Sequence, residues 1–301
     1  MVNMRQKRVL IFGGTGFIGG NLANALSHEC DVTVSVRNRS KGKDIKNNVL
    51  VDLLAPETIE KALLSVRPDI VINAAGVIEN TSKARQNVEF TTNILKSVLK
   101  SGLKLKKIVV FGSAAEYGLV DKLPVPETAP LNAVSPYAVS KKEEVKTALN
   151  FAKEHGLPVV VPRIFNPIGE NMPKHQLIPN LIRQKRLIRA GKSDTVEISR
   201  LDSARDFVDI KDVVEAIRLL AHGGRDGEIY NVGSGIKTTI KDVIEILFAD
   251  VKDSFSIVEQ SGSKEPQVAS QADISKIAKE LKWKPEHSLE GTLRRIETYG
   301  A

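Results

Sequence analysis

One stretch decides the fold of this chain: Val9-Leu10-Ile11-Phe12-Gly13-Gly14-Thr15-Gly16-Phe17-Ile18-Gly19. Its four apolar residues predict a short buried strand, and the glycines predict a tight turn that leads into a helix. Gly14, Gly16 and Gly19 have the spacing of a dinucleotide-binding loop, and Gly13, Gly16 and Gly19 also fit a G-x-x-G-x-x-G variant. In such a loop the bare backbone approaches a pyrophosphate and the helix N-terminus faces the anion. We therefore expect a dinucleotide to contact Gly13, Gly14, Thr15, Gly16, Phe17, Ile18 and Gly19; the alternative is a tight turn without a ligand.

The first half of the chain alternates short β-branched runs with longer amphipathic stretches. Strands are predicted at residues 8–12, 32–36, 48–51, 69–73, 107–111 and 158–161, and helices at 17–28, 56–66, 86–101 and 136–155. Strands and crossover helices in alternation are typical of a parallel sheet that is covered on both faces. The predicted fold class is therefore α/β, a Rossmann-type doubly wound parallel sheet.

The second half of the chain is less regular, because Pro167, Pro173 and Pro179 interrupt it. Helices are predicted here at 181–190, 211–221, 240–249, 274–281 and 288–298. We expect a dinucleotide-binding domain over residues 1–165 and a smaller, mostly α-helical substrate lobe over residues 166–301. A return segment near 206–233 is expected to pack on the first domain. A cleft between two such lobes is where a small ligand binds.

The composition excludes several classes of protein. With 42% hydrophobic and 27% charged residues among 301, the chain is neither disordered, nor collagen-like, nor a membrane bundle. Within the uncharged stretch 9–28 only residues 9–12 are densely apolar, too few for a signal peptide or a membrane span, so a cytoplasmic location without membrane contact is predicted. The single cysteine, Cys30, and the five histidines show no ligand spacing, so no metal is expected. The net charge of +8 suits a protein that binds anions.

The end of the second predicted strand indicates which dinucleotide is bound. An acid at this point would accept a hydrogen bond from the ribose 2′-hydroxyl of NAD, whereas cations suit the 2′-phosphate of NADP. Here the strand runs into Arg37, Asn38 and Arg39. We therefore predict NADP(H) as the preferred cofactor and keep NAD(H) as the alternative, in which case these residues are only a solvated loop. Asp52, followed by Leu53 after the third strand, is placed to accept a hydrogen bond from the adenine amino group, or else it begins the next helix.

A tyrosine and a lysine, Tyr137 and Lys141, are four residues apart in a predicted helix and therefore share one face. A phenol is too weak an acid to exchange protons readily near neutral pH, and a nearby ammonium lowers the pKa of such a phenol. The pair therefore predicts a general acid or base, although a surface pair with the same spacing is an alternative. Ser113 ends a predicted strand whose tip faces the cofactor crevice, where it is placed to bond a substrate oxygen or merely the backbone.

Taken together in this order, the motifs resemble those of the extended short-chain dehydrogenases/reductases, the NAD-dependent epimerase/dehydratase family that acts on nucleotide-diphospho-sugars. The resemblance covers essentially the whole chain. It includes the residues already named and the stretches Asn73-Ala74-Ala75-Gly76, Glu116-Tyr117-Gly118, Pro126-Glu127, Arg163-Ile164-Phe165-Asn166-Pro167-Ile168-Gly169, Arg205-Asp206-Phe207-Val208-Asp209 and Tyr230-Asn231-Val232-Gly233-Ser234-Gly235.

The resemblance implies a role for particular residues. Tyr137 would be the proton donor or acceptor, Ser113 its partner at the sugar oxygen, and Lys141 would bind the nicotinamide ribose and lower the pKa of the phenol. The cofactor would also contact Ala74, Ala75 and Gly76. The substrate side would consist of Ser113, Ala114, Asn166, Arg183, Arg205 and Lys264, of which Lys264 is the nearest cation to a late arginine that many relatives use on the diphosphate and this chain lacks.

Two features of the sequence separate the reactions of the family. The dehydratases follow the Ser/Thr position with an Asp-Glu pair, and here Ser113 is followed by Ala114 and Ala115, so elimination of water is not expected. The pair Arg37-Asn38, the short second lobe and the stretch 201–207 are most similar to the 4-ketoreductases that include the GDP-4-keto-6-deoxymannose reductases. The resemblance therefore implies NADPH-dependent reduction of a nucleotide-diphospho-4-keto-6-deoxy-sugar at C4.

Two other functions stay open. One is an NAD-dependent nucleotide-sugar 4-epimerase, and the other is a non-catalytic relative that senses NADP or binds RNA. Basic clusters at 104–107 and 183–189 lack interleaved aromatic residues, and aromatics make up only 5% of the chain, so no nucleic-acid partner is expected. The predicted helices 86–101 and 136–155 match those that pair in dimers of the family, so the resemblance implies a homodimer.

Overall fold

The computed structural model describes residues 7–38, 47–78, 81–259 and 269–299, and these residues form fourteen strands and nine α-helices. The strands are β1 Arg8–Phe12, β2 Asp31–Val36, β3 Asn48–Leu50, β4 Ile70–Asn73, β5 Lys107–Val110, β6 Gly112–Ser113, β7 Val159–Ile164, β8 Asn166–Ile168, β9 Thr195–Ile198, β10 Ala204–Arg205, β11 Phe207–Asp209, β12 Ile229–Val232, β13 Thr238–Thr239 and β14 Ser256–Glu259. The α-helices are α1 Phe17–Leu26, α2 Pro56–Val66, α3 Gln86–Ser101, α4 Pro136–His155, α5 Leu177–Arg189, α6 Ile210–Gly223, α7 Ile240–Leu247, α8 Ser275–Leu281 and α9 Leu289–Tyr299. Short 3-10 turns occupy Ser82–Arg85 and Ala114–Tyr117.

Eight parallel strands form the central sheet, in the order β3-β2-β1-β4-β5-β7-β12, with β6 paired to the end of β7. Every strand that the first half of the sequence predicts lies in this sheet, so the α/β doubly wound fold class is confirmed. β7 runs three residues past its predicted end, because Arg163 and Ile164 continue to pair with β12 and with β6.

Helices cover both faces of the sheet, which explains why its inner strands are continuous apolar runs. On one face the strands pack with α1 and α6 and with Ile277 and Trp283, in an apolar cluster that also includes Tyr230 and Val232. On the other face they pack with α2, α3 and α4. The return segment near 206–233 thus adds α6 to one face of the sheet and β12 to its edge.

The remaining described residues of the second half pack around a separate apolar cluster that α5, α7 and α9 share. Three two-stranded sheets, β8–β11, β9–β14 and β10–β13, accompany these helices. The sequence predicts none of these strands, nor β12, because two to four residues are too few to show a hydrophobic period and their partners are distant in the chain. The division into domains at residues 165 and 166 stays a prediction.

No helix within the described ranges is both long enough and apolar enough to span a membrane. The cytoplasmic location stays a prediction.

Candidate active site

The glycine loop opens at the carboxyl end of the central sheet. β1 and β4 are neighbours, and Phe12 at the end of β1 lies opposite Asn73 at the end of β4. The strand order reverses here, because the chain passes from β1 to β2 and β3 on one side and then crosses to β4 on the other. In open parallel sheets the crevice at such a reversal is where ligands bind.

Steric contacts explain the glycines of this loop. Gly13 has φ +79°, and a Cβ there would lie 2.5 Å from the backbone nitrogen of Ala75, so the loop packs directly on the turn after β4. A Cβ on Gly19 would lie 2.3 Å from the carbonyl oxygen of Gly13, so α1 packs closely on the loop. α1 begins at Phe17, and within the described ranges no side chain caps its N-terminus at Gly16, which leaves its first N–H groups open to an anion.

A cavity of about 410 Å³ lies beside the loop. It brings together six residues that the sequence assigns to the cofactor, namely Gly13, Thr15, Arg37, Asn38, Leu53 and Ala75. The other predicted cofactor residues of the loop and of the following turn are adjacent to these in the chain, namely Gly14, Gly16, Phe17, Ile18, Gly19, Ala74 and Gly76. The walls of the cavity therefore come from the ends of β1, β2 and β3 and from the turn after β4.

The cavity also contains two residues that the sequence analysis did not assign, Ser35 and Val51. Ser35 is buried, and its Oγ accepts a hydrogen bond from the Gly13 N–H at 3.3 Å, so it supports the glycine loop. Asp52 is exposed and does not line the cavity. Its Oδ1 instead accepts from the Leu54 N–H at 3.0 Å, which is a local turn role. Two further predicted residues, Arg39 and Lys264, lie outside the described residues.

Ser113 has its hydroxyl held by a capping box at the start of the 3-10 turn. The Ser113 Oγ accepts from the Ala115 N–H at 3.2 Å, and the Ser113 N–H donates to Glu116 Oε1 at 2.6 Å. Because the Ser113 Oγ acts as the acceptor in its bond with the Ala115 N–H, its hydroxyl proton is left to donate to another group. Ala114, the first residue of the turn, follows directly and is half-buried.

Beneath Ser113 lies a buried polar network that the sequence motifs include but that sequence reasoning gave no role. Glu116 accepts from Arg163 Nη2 at 2.8 Å, and both side chains are almost completely buried. Arg163 Nη1 donates to the Tyr117 hydroxyl, which in turn donates to Asn231 Oδ1. Burial raises the pKa of Tyr117 despite the neighbouring guanidinium. The network gives each of these buried polar groups a hydrogen-bond partner and makes the structure beneath Ser113 rigid.

Tyr137 and Lys141 lie in the first two turns of α4. The helix begins at Pro136 because the Ser135 Oγ accepts from the Ala138 N–H at 3.1 Å. α4 packs against β6 and against the 3-10 turn, so the tyrosine helix and Ser113 belong to neighbouring elements. Tyr137 is half-buried and Lys141 is buried.

The ammonium of Lys141 is paired within its own helix. Its Nζ lies 2.6 Å from Oε2 of Glu144, and that carboxylate is also buried. Burial by itself disfavours the charged ammonium, but its electrostatic interactions, first with the Glu144 carboxylate and then with Tyr137, outweigh burial, and the pKa of Lys141 is raised. A charged amine on the same helix face as a phenol and one turn away suits proton transfer by tyrosine.

Asn166 and Arg205, which the resemblance assigns to the substrate, lie close together in the second half. Asn166 pairs with Phe207 between β8 and β11, and its Nδ2 donates to the Asp206 carbonyl oxygen at 3.0 Å. Arg205 is half-buried in β10. Arg183 is exposed on α5 and donates to Asn180 Oδ1 at 2.9 Å, so its place in substrate binding stays a prediction.

Asp206 is a residue that the motif contains but that sequence reasoning left without a role. Its carboxylate is completely buried and accepts the N–H groups of Ser234, Gly235 and Ala272 at 2.6–2.9 Å. Burial raises its pKa, and these hydrogen bonds act in the opposite direction. Asp206 thereby ties the segment that contains Arg205 to two other loops.

Among the described residues, no group of three or more His, Cys, Asp or Glu side chains is arranged to hold a metal ion.

Residues 9–233 match the NAD dependent epimerase/dehydratase family, and the chain belongs to this family. It is therefore a nicotinamide-dependent enzyme of a family that acts on nucleotide-sugars. Among its relatives, GDP-6-deoxy-D-mannose reductase of Pseudomonas aeruginosa is 29% identical over 96% of both chains. UDP-glucose 4-epimerase of Azospirillum brasilense is 26% identical over 95% of this chain and 90% of its own length. The structure of RMD from Pseudomonas aeruginosa complexed with NADPH superimposes with a TM-score of 0.85 at 26% identity, over 99% of this chain and 98% of the other.

Proposed function

We propose that the chain is an NADPH-dependent reductase that converts the C4 keto group of a nucleotide-diphospho-4-keto-6-deoxy-sugar to a hydroxyl. The observation that carries this proposal is the cavity wall at the end of β2, where Arg37 and Asn38 are present and the described lining includes no acid. A cation at this point suits the 2′-phosphate of NADP(H). NADP(H) is accordingly the preferred cofactor, and NAD(H) is the alternative.

The residues fit a dinucleotide on steric grounds. Gly13 packs on the Ala75 backbone without a side chain, and the cavity of about 410 Å³ extends from these two residues to Arg37. The N–H groups at the start of α1 are suited to the pyrophosphate. When bound, the reduced nicotinamide supplies a hydride.

The protein side of the reaction is orientation and proton transfer. As the C4 carbon accepts the hydride, Tyr137 donates its hydroxyl proton to the C4 oxygen, so the ketone becomes an alcohol. Ser113 donates a hydrogen bond to the same oxygen and holds it beside the phenol. Lys141 binds the nicotinamide ribose, and its positive charge stabilises the phenolate that the proton transfer leaves.

The substrate class is supported from the second half of the chain. Asn166 and Arg205 lie together, and an arginine is suited to bidentate contact with a diphosphate. The relative named GDP-6-deoxy-D-mannose reductase also favours a 6-deoxy sugar. A dehydratase has less support, because Ala114 and Ala115 stand where an acid and a base are needed. The next carboxylate, Glu116, is fully buried and bound to Arg163.

The RNA-binding alternative has less support from the basic helix α5. Lys185 is buried and bound to Asp250 and Glu297, and Arg189 is bound to the same two carboxylates. Phosphate binding needs cations that are free to replace counterions. Much of the charge on this helix is instead neutralised within the protein.

The test is to incubate the protein with NADPH and with GDP-, dTDP- and UDP-linked 4-keto-6-deoxy-sugars, following the loss of NADPH absorbance. We expect consumption of NADPH with at least one of them. Tyr137→Phe is expected to lower kcat by about 10²–10⁴-fold, because the proton donor is lost. Its NADPH affinity is expected to stay within about threefold, because the ring still packs in place.

No NADPH consumption with any of these sugars, together with interconversion of a UDP-hexose by retained NAD, would contradict the reductase. It would establish the 4-epimerase, which the Azospirillum relative favours. Tyr299→Phe is the matched control, because Tyr299 is exposed at the far end of α9 and its hydroxyl donates a hydrogen bond to Asn171.

We also propose that the chain forms a homodimer through α3 and α4. These two helices pack against each other along the sheet, and each presents an exposed apolar residue, Leu99 on α3 and Val139 on α4. The resemblance, in whose dimers the matching helices pair, supports this interface.

A further inference from the structure

Glu144 is a buried acid to which the proposed reaction assigns no step. It lies one helical turn beyond Lys141, and its side chain is only 1% exposed. The removal of a carboxylate from water is costly unless the charge is paired and its oxygens are hydrogen-bonded. Both conditions are met, because Oε2 accepts from Lys141 Nζ at 2.6 Å and Oε1 accepts from the Thr91 hydroxyl at 2.6 Å.

The contacts of Thr91 lead from Glu144 to the cofactor cavity. The Thr91 oxygen, on α3, accepts from Asn73 Nδ2 at 2.8 Å, and Asn73 Oδ1 accepts from the Ala75 N–H at 3.2 Å. Asn73 ends β4, and Ala75 lines the cavity. A continuous chain of hydrogen bonds therefore joins the cavity wall to the Lys141 ammonium through Glu144.

The charged and titratable groups around Lys141 come from two elements. Glu144 and Tyr137 face it from its own helix, and Glu116 faces it from the 3-10 turn. Glu116 is itself bound to Arg163 of β7, so its charge is largely neutralised. From α3, Thr91 bonds to Glu144 and Asn87 bonds to Ser140, and neither of these side chains titrates. Glu144 is therefore the main group that opposes the effect of burial and keeps the pKa of Lys141 raised.

We propose that Glu144 is a positioning residue: its carboxylate, anchored through Thr91 and Asn73, keeps Lys141 charged and fixed relative to the cofactor-binding turn at Ala75. This inference rests on the proposed function, because the role of Lys141 at the nicotinamide ribose belongs to it. The carboxylate itself touches neither cofactor nor substrate and acts only through the lysine.

Glu144→Gln tests the charge, because glutamine has the same shape and can still bond to both neighbours. Without the negative charge, the buried ammonium is lost at lower pH. We expect the affinity for NADPH to fall about 3–10-fold at neutral pH. We also expect the loss of NADPH affinity at alkaline pH to begin about one pH unit lower than in the unmodified protein. NADPH fluorescence titrations over about pH 7–11.5 measure both quantities.

Glu143→Gln is the matched control, since Glu143 is the adjacent, exposed acid on the same helix and should leave both quantities unchanged. A loss of NADPH affinity at the same alkaline pH in Glu144→Gln and in the unmodified protein would overturn the proposal.

If Glu144→Gln does not fold, Thr91→Val removes the anchor alone and should weaken NADPH binding about threefold or more. Unchanged binding in Thr91→Val would equally overturn it.

A measurement without cofactor separates this inference from the proposed function. The ε-carbon resonance of Lys141 in ¹³C-lysine-labelled protein, assigned with Lys141→Met, reports the protonation of the amine directly. We expect the pKa of Lys141 to be lower in Glu144→Gln than in the unmodified protein, and an equal value refutes the role of Glu144. A protein that binds neither NADPH nor NADH refutes the proposed function, and this titration then decides by itself whether Glu144 keeps Lys141 charged.

Discussion

Arg37 lines the cavity at the end of β2 and is exposed to solvent. A charge-assisted hydrogen bond to the 2′-phosphate is worth about 1.5–3 kcal/mol, which corresponds to about 10–150-fold in affinity. Arg37→Ser is therefore expected to weaken NADPH binding by about that factor and to leave NADH binding within about twofold. Isothermal titration calorimetry with the two cofactors measures the ratio.

The control for Arg37→Ser is Arg294→Ser, which removes an equally exposed guanidinium on α9, where its partner is Glu290. An equal fall in the affinities for NADPH and NADH would show that Arg37 supports the loop and does not bind the 2′-phosphate. Tighter binding of NADH than of NADPH by the unmodified protein would reverse the cofactor assignment.

At the scale of elements, Asp209 joins the start of α6 to α9. Its carboxylate caps α6 through the Lys211 N–H at 2.7 Å and also accepts hydrogen bonds from Thr292 and Arg295. Burial raises the pKa of Asp209, but the bonds from these three donors outweigh it and hold the pKa below its usual value. The stabilisation is therefore complete above the pKa of the unfolded carboxyl, about 3.9, and is lost as the pH falls through the lower pKa of the folded protein.

Asp209→Asn is expected to lower the free energy of unfolding by about 2–3 kcal/mol at neutral pH, because a charged partner of Arg295 is lost. The deficit should shrink in acid, because the unfolded carboxyl, with a pKa of about 3.9, then binds a proton more readily than the folded carboxylate does. Urea unfolding followed by circular dichroism at neutral pH and near about pH 3 measures it. Asp253→Asn, on an exposed loop, should change neither value. A deficit that is equal at both pH values would refute the assigned ionisation.

At the scale of the whole molecule, the proposed homodimer predicts a mass in solution that is twice that of the chain. The double variant Leu99→Arg, Val139→Arg places charges on both helices of the interface and should return the mass to that of one chain. Size-exclusion chromatography with light scattering measures it, and unchanged circular dichroism shows that the fold is retained. Val258→Arg on β14, which is equally exposed and belongs to the sheet with β9, is the control. A single-chain mass for the unmodified protein, or no effect of the double variant, would rule out this interface.

Several features follow from local sequence alone. The strands of the first half are apolar runs between longer amphipathic helices and turn residues, so local sequence locates them to within a few residues. The glycine spacing predicts a tight turn, and the positive φ of Gly13 and its close packing on Ala75 confirm that turn. The i, i+4 spacing of Tyr137 and Lys141 places them on one helix face whatever the rest of the chain does.

Other features depend on which distant residues meet, and this is why local sequence does not contain them. β12 is a strand because it pairs with β7 at the edge of the sheet, and β8 is a strand because it pairs with β11. The chain of bonds from Ala75 through Asn73, Thr91 and Glu144 to Lys141 joins three elements. Periodicity and spacing are properties of neighbours in the chain, whereas the burial that decides the charge of Lys141 is created only when those elements pack.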